Sequence, residues 1–264
     1  MRAFRVAYDG TPYHGFQRQP DVPTIEGTLF RALRALDAFE GEKPEGYAAA
    51  GRTDAGVSAL AQTVAFEPPG WLTPAAFNGE LPGGVRAWAS TAVPEGFHAT
   101  YDARSREYAY QLHAPDADDE RMREALSRLS GTHDLHNLTP DSNDTTRTIH
   151  GTDLERDGPY AVVTVRADGF LKRLVRRLVS LVSAVGRGDR DLPFVDRVLS
   201  SERLAGPEGI APAPPEPLVL TDVAYDLDFE IDERAAESAR GVFKSKRIER
   251  ETGARVAGRI ERGI

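Results

Sequence analysis

The spacing of apolar residues changes period several times along the chain. Phe4, Val6 and Tyr8 alternate with smaller or charged neighbours, the two-residue period of a strand. Gly10, Pro12 and Gly15 then break the pattern. From Ile25 the period lengthens. Ile25, Leu29, Leu33 and Leu36 fall on one helical face, and Thr24 stands where a cap is needed. Residues 47–50 predict a short strand ending at Gly51, and residues 61–66 a second. Thr73 predicts the cap of a short helix through Phe77 and Leu81, and residues 85–93 predict another strand. The order is β-α-β-β-α-β, the split βαβ or ferredoxin-like arrangement.

That order returns in the second part of the chain. Residues 106–113 read as a strand, and residues 117–129 as a helix with Met122, Ala125, Leu126 and Leu129 on one side. Residues 146–154 and 160–166 read as strands around the turn Asp157-Gly158-Pro159. Residues 170–185 predict a strong amphipathic helix, and residues 218–225 the closing strand. Residues 205–217 are rich in Pro, Gly and Ala and predict a loop. After Asp232 the chain is charged and helix-permissive but interrupted by Gly241, Gly253 and Gly258, which predicts a tail that packs weakly or orders with a partner. The expectation is an α+β protein of two ferredoxin-like halves, residues 1–103 and 104–229, with a charged extension at 230–264.

Composition narrows the chemistry. The 264 residues contain no cysteine, which excludes disulfides, thiolate metal sites and thiol catalysis. No run approaches the roughly 18–20 apolar residues of a membrane span, and the opening MRAFRVAYDG lacks a signal-peptide core. The expectation is a soluble cytoplasmic protein. The net charge is -8, but it is unevenly spread. Residues 166–190 carry seven basic and two acidic side chains, so a cationic region sits in an acidic body. Only four lysines are present, which suggests a salt-adapted or GC-rich source.

Four constellations can carry chemistry. In GRTDAGVSA, residues 51–59, two glycines bracket one carboxylate, Asp54, beside Arg52 and Thr53. Such a carboxylate has partners that keep it ionised; an ordinary Asp turn is the competing reading. YDGTPYHGFQRQ, residues 8–19, mixes aromatics, amides and an arginine that suit nucleotides, although by itself it reads as a polar turn with Tyr8 in the core. Tyr108 and Tyr110 share a strand face with Arg106, which suits base stacking, with Tyr110 the one assigned to the core. Lys172, Arg173, Arg176 and Arg177 fall opposite the apolar stripe of the predicted helix; four cations in two turns call for an anion. His133 and His136 lack a second ligand pair for a metal, and no phosphate-binding or dinucleotide glycine motif and no Gly-x-Ser-x-Gly is present.

Together these strings resemble the tRNA pseudouridine synthase A family. GRTDAGVSA resembles its active-site motif, and YDGTPYHGFQRQ its opening motif. FHATYDARSREYAY, GTHDLHNL, FLKRLVRRLVSLVSAVGRG and APPEPLVLTDVAY follow in family order to residue 225. The resemblance implies an isomerase that converts uridine to pseudouridine at positions 38, 39 and 40 of the tRNA anticodon arm. It further implies two ferredoxin-like halves with joined antiparallel sheets and a central cationic cleft, a homodimer, and no cofactor or metal. Asp54 would be the nucleophile at C1′ or C6, or would take the 2′ proton. Arg176 would pair with it. Tyr108 would stack on uracil and relay the C5 proton. Arg52 would assist base flipping, and Lys172, Arg173, Arg177 and Arg187 would grip the backbone. Four departures stand out. Ser58 replaces a usual His, Lys172-Arg173 an aromatic-His pair, Arg177 an Asn, and Pro217 a Gly. A non-catalytic RNA-binding module of RRM-like fold is the rival reading, and a two-carboxylate hydrolase is a third.

Overall fold

A computed structural model describes residues 1–204 and 206–264. The first part of the chain forms β1 (Arg2–Tyr8), α1 (Ile25–Ala35), β2 (Ala48–Ala49), β3 (Ser58–Phe66), α2 (Pro74–Phe77) and β4 (Val85–Ala92). The second forms β5 (Ser105–His113), α3 (Asp119–Leu129), β6 (Gly131–Asp134), β7 (Thr146–Asp157), β8 (Tyr160–Ala167), α4 (Leu174–Gly186), α5 (Leu192–Leu199) and β9 (Leu218–Ala224). β10 (Glu230–Ile231) and α6 (Glu233–Glu261) follow. The ten strands make one sheet, ordered β10-β4-β1-β3-β9-β5-β8-β7-β6, with β2 paired to β3 outside that path. The succession β4-β1-β3-β2 in the first part is repeated as β9-β5-β8-β7 in the second.

The two parts join where β3 and β9 run parallel, Ser58 opposite Val219 and Ala59 opposite Leu220. The remaining strand pairs are antiparallel. Side-chain size along β1 follows from what each face meets. Phe4, Val6 and Tyr8 enter a large core with α1, while Ala3 faces a smaller cluster with Ala48, Ala65 and Ala99. Phe4 stacks on Phe66 at 5.2 Å and meets Phe77 edge-on at 6.0 Å. Each such fully buried ring contributes about 1.5–3 kcal/mol. A second core lies under α3, α4 and α5.

The predicted helix caps form: Thr24 accepts from the Gly27 N–H and Thr73 from the Ala76 N–H. Other expectations are corrected. The cationic helix begins at Leu174 rather than residue 170, because Arg173 turns the chain at φ 61°. The apolar pair Phe170 and Leu171 continues the helical stripe in sequence but packs from a turn. β6, α5 and β10 are additional elements. α5 is capped by Asp191, whose carboxylate accepts the Phe194 N–H. Residues 206–217 contain a short 3₁₀ turn at Gly206–Glu208; Ala205, the first residue of the predicted loop, lies outside the described residues.

The extension is one continuous helix through Gly241, Gly253 and Gly258. Helical glycine costs about 1 kcal/mol, but the Asp232 cap and docking offset it. Ala235, Ala236 and Ala239 bury against the first part of the chain, where α6 contacts β4 and α2. Farther along, Lys246 and Arg250 both reach Asp9 Oδ2, at 3.0 and 2.6 Å. Asp9 is buried, which alone raises a carboxyl pKa; hydrogen bonds from Thr11, Lys246 and Arg250 outweigh this and hold it well below the ordinary range.

Candidate active site

Asp54 lies in the connection from β2 to β3, and the opening motif clasps that connection. Tyr8 Oη and Thr53 Oγ1 are 2.8 Å apart. The Phe16 N–H donates to Thr53 O at 3.0 Å, and the Gly56 N–H to Tyr13 O at 3.2 Å. The close approach explains two glycines. A Cβ on Gly10 would stand 1.9 Å from Val57 O, and one on Gly15, which has φ +97°, 3.1 Å from Thr53 O. Ser58 belongs to the same clasp, since its Oγ accepts the Gly10 N–H at 3.0 Å. Residues 8–19 are therefore the scaffold of the Asp54 loop and part of the cleft wall, a role that the string alone did not reveal.

The second half supplies the partner. Arg176, in the first turn of α4, donates from Nη1 to Asp54 Oδ2 at 3.0 Å and from Nε to Ala213 O at 2.6 Å. One guanidinium is thus fixed by a carbonyl of the 206–217 segment and aimed at a carboxylate 122 residues earlier. The pair is partly shielded, with Arg176 and Asp54 side chains 13% and 27% exposed. The carboxylate is held in place yet open to a ligand.

Tyr108, on β5, lies between the two cores and meets Phe170 edge-on at 5.0 Å. Burial, and then the negative charge of Asp54, raise the pKa of its hydroxyl, so it stays protonated at neutral pH. Tyr110 is buried in the second core, as expected. Arg106 is a tie rather than a free cation: it donates to Asp168 O, Ala50 O and Thr100 O.

Asp54, Arg176, Tyr108 and Phe170 line an open cleft of about 1170 Å³. Its wall, among the described residues, carries six Arg or Lys side chains and three Asp or Glu. A chain of net charge -8 thereby presents a locally positive surface. Arg52 is exposed on this wall and makes no ion pair among the described residues. Lys172 and Arg173 are also exposed there, on the turn that precedes α4. That turn is held by the Lys172 N–H donating to Asp141 Oδ2 and by Thr139 Oγ1 donating to Lys172 O.

Two of the expected backbone-gripping cations are not brought to the cleft. Arg177 points to the 206–217 segment, where its Nη1 donates to Ile210 O at 2.6 Å. Arg187 caps the far end of α4 and binds Ser183 Oγ and Asp189 Oδ2. It stands 11 residues beyond Arg176, or about 16 Å along the axis. Helical periodicity groups such residues by angle but ignores distance along the axis and the loop that covers one flank. His133 and His136 are also dispersed. One ring bonds Ser130 O and the other Glu202 O.

Residues missed from the sequence include Lys43 and Tyr101 on the cleft wall, where Arg18, the arginine of the 8–19 string, also lies. Lys43 belongs to no recognisable motif; Tyr101 lay inside the FHATYDARSREYAY string without being singled out.

One carboxylate fixed by an arginine, beside a protonated tyrosine and within a cationic cleft, defines a carboxylate-centred enzyme site open to a polyanion. Residues 125–226 match the family described as tRNA pseudouridine synthase. The chain is 59% identical over 263 residues to a tRNA pseudouridine synthase A of Halobacterium salinarum, covering 98% of each. It is 58% identical over 264 residues to that of Natronomonas pharaonis, again covering 98% of each. Identity to the Methanosarcina acetivorans protein of the same name is 41% over 251 residues, 93% of each. The chain belongs to the tRNA pseudouridine synthase A family.

Proposed function

We propose that the protein isomerises uridine to pseudouridine in tRNA, at positions 38, 39 and 40 of the anticodon arm. The observation that carries this reading is the Asp54–Arg176 pair, assembled from two halves of the chain on the wall of a cationic cleft. The net reaction breaks the N1–C1′ bond of uridine, forms a C5–C1′ bond, adds a proton at N1 and removes one from C5. No electrons are gained or lost.

Asp54 supplies the ionised carboxylate. Attack at C1′, attack at C6 and removal of the 2′ proton all require that one group. Arg176, itself fixed through its second bond to Ala213 O, orients it. Tyr108 packs against the base and can relay the C5 proton, its hydroxyl oxygen accepting that proton as its own passes to solvent in the open cleft. Arg52, exposed on the cleft wall, assists base flipping by occupying the vacated space or gripping the phosphate. Lys172 and Arg173 bind backbone phosphates, and Arg177 and Arg187 act in the fold instead. The enzyme acts as a homodimer in the cytoplasm, where its tRNA substrate is found. No helix among the described residues is long and apolar enough to cross a membrane.

Incubation with unmodified tRNA, followed by nucleoside analysis and mapping of the modified positions, tests the reading. Formation of pseudouridine at 38, 39 or 40 is expected; its absence from the tRNA pool overturns it. Sedimentation with and without tRNA tests the dimer.

A further inference from the structure

One large aromatic on the cleft wall is not used for the protein's own packing. Tyr101 is 81% exposed, yet its ring is held. It stacks on His98 with centroids 4.2 Å apart and planes 28° from parallel. Both rings line the same cleft as Asp54.

The turn beneath them is tightly bonded. His98 O accepts the N–H groups of Tyr101 and Asp102, each at 3.0 Å. Asp102 Oδ2 accepts the His98 N–H at 2.7 Å, and His98 Nδ1 accepts the Thr100 N–H at 3.2 Å. The turn is also fastened to β2: Thr100 Oγ1 donates to Ala49 O at 2.6 Å. Arg106 Nη2 bridges Thr100 O and Ala50 O at 2.5 and 3.0 Å. Ala49 and Ala50 lead directly into the Asp54 loop. The aromatic pair is therefore mechanically coupled to the segment that delivers the carboxylate.

A rigid aromatic with one face covered by another ring leaves its other face for a ligand at little cost in side-chain entropy. Its setting selects the ligand. A wall carrying Arg52, Lys172 and Arg173 favours a planar group attached to phosphates. We propose that Tyr101, backed by His98, is a stacking platform for a second unpaired nucleobase of the RNA substrate, distinct from the uridine being isomerised. Stacking accepts any base, so the platform sets affinity and register without reading base identity. The proposal rests on the tRNA-modifying reading above.

The test compares Tyr101→Phe, Tyr101→Leu and Tyr101→Ala, with Tyr160→Ala as control. Tyr160 is an exposed aromatic packed on His113 outside the cleft. The Kd for unmodified tRNA is measured in the Asp54→Asn background, and KM and kcat in the otherwise wild-type enzyme. Tyr101→Phe and Tyr160→Ala are expected within twofold of their parents. Tyr101→Leu and Tyr101→Ala are expected to raise Kd and KM about 5- to 100-fold with little change in kcat. Binding by Tyr101→Ala within twofold of its parent overturns the platform. So does Tyr101→Leu matching Tyr101→Phe, because apolar area would then suffice. Failure of the wild-type enzyme to form pseudouridine overturns the functional reading separately, since the binding comparison needs no turnover.

Discussion

The two parts of the chain share one strand succession but use it differently. In the first, β2 is only two residues long, and the connection to β3 is an eight-residue loop carrying Asp54. The corresponding connection in the second, between β7 and β8, is the two-residue turn Gly158-Pro159. That second part has a twelve-residue β7 in place of the stub. The helices differ in the opposite sense. α2 has four residues, whereas its counterpart α4 has thirteen and carries Arg176 into the cleft. One half has a shortened strand that frees a loop, and the other has a long helix that braces it. Strand order provides positions, while the connections decide which of them carries chemistry.

The largest expected effect comes from neutralising the loop of one half and the turn of the other. Asp54→Asn should reduce single-turnover pseudouridine formation by on the order of 10³-fold or more, with tRNA affinity retained. Asp157→Asn, at the equivalent turn, should leave both unchanged. Equal losses would dissolve the functional asymmetry between the halves. Next in size is the brace. Arg176→Ala should slow turnover by roughly 10²-fold. It should also lower stability by about 1 kcal/mol, a modest figure because the pair is partly exposed. Rapid-quench kinetics and urea unfolding read the two effects.

Tyr108→Phe keeps the ring but removes the proton that burial and Asp54 hold on the hydroxyl. Turnover should fall by about 10-fold or more, with binding little altered. Tyr110→Phe, in the core of the second half, should be milder. Identical kinetics for the two would mean that their different depths on one face of β5 do not separate their roles.

The smallest effects distinguish the cleft cations from those of α6. Replacing Lys172 and Arg173 with Gln should flatten the salt dependence of tRNA binding, by about one unit of log–log slope for each phosphate no longer neutralised. Replacing Lys246 and Arg250 with Met should leave that slope nearly unchanged and lower the melting temperature. The Asp9 carboxyl is depressed in the folded state, so its contribution is present above the unfolded carboxylate pKa of about 4. It is lost as pH falls through the still lower folded value. The stability difference between wild type and Asp9→Asn should therefore be flat from neutral pH to about pH 5 and shrink in stronger acid. A difference that grows on acidification would contradict the ion cluster.

Most repeating elements were legible because each buries a face at a fixed period: Phe4, Val6 and Tyr8 on β1, and Ile25, Leu29 and Leu33 on α1. The start of α4 was less so. Phe170 and Leu171 satisfy the helical stripe, but the left-handed turn at Arg173 depends on tertiary ties to Thr139 and Asp141. The glycines of α6 read as interruptions because a sequence shows the local helix penalty but not the Asp9 cluster that holds the distal helix. Two polar strings showed their use only after folding. Residues 8–19 became a clasp, and residues 98–102 a rigid aromatic turn.

What the sequence by itself determined is the order of the elements and the type of chemistry available, since periodicity, caps and the acid in GRTDAGVSA are local properties. Tertiary structure alone decided which cations share a cleft with Asp54. Arg176 and Arg177 are neighbours in sequence, but one meets a carboxylate at 3.0 Å and the other the carbonyl of Ile210 at 2.6 Å. Adjacent helical side chains diverge by about 100°, so the surroundings that meet them, rather than the residues themselves, assign the partner of each.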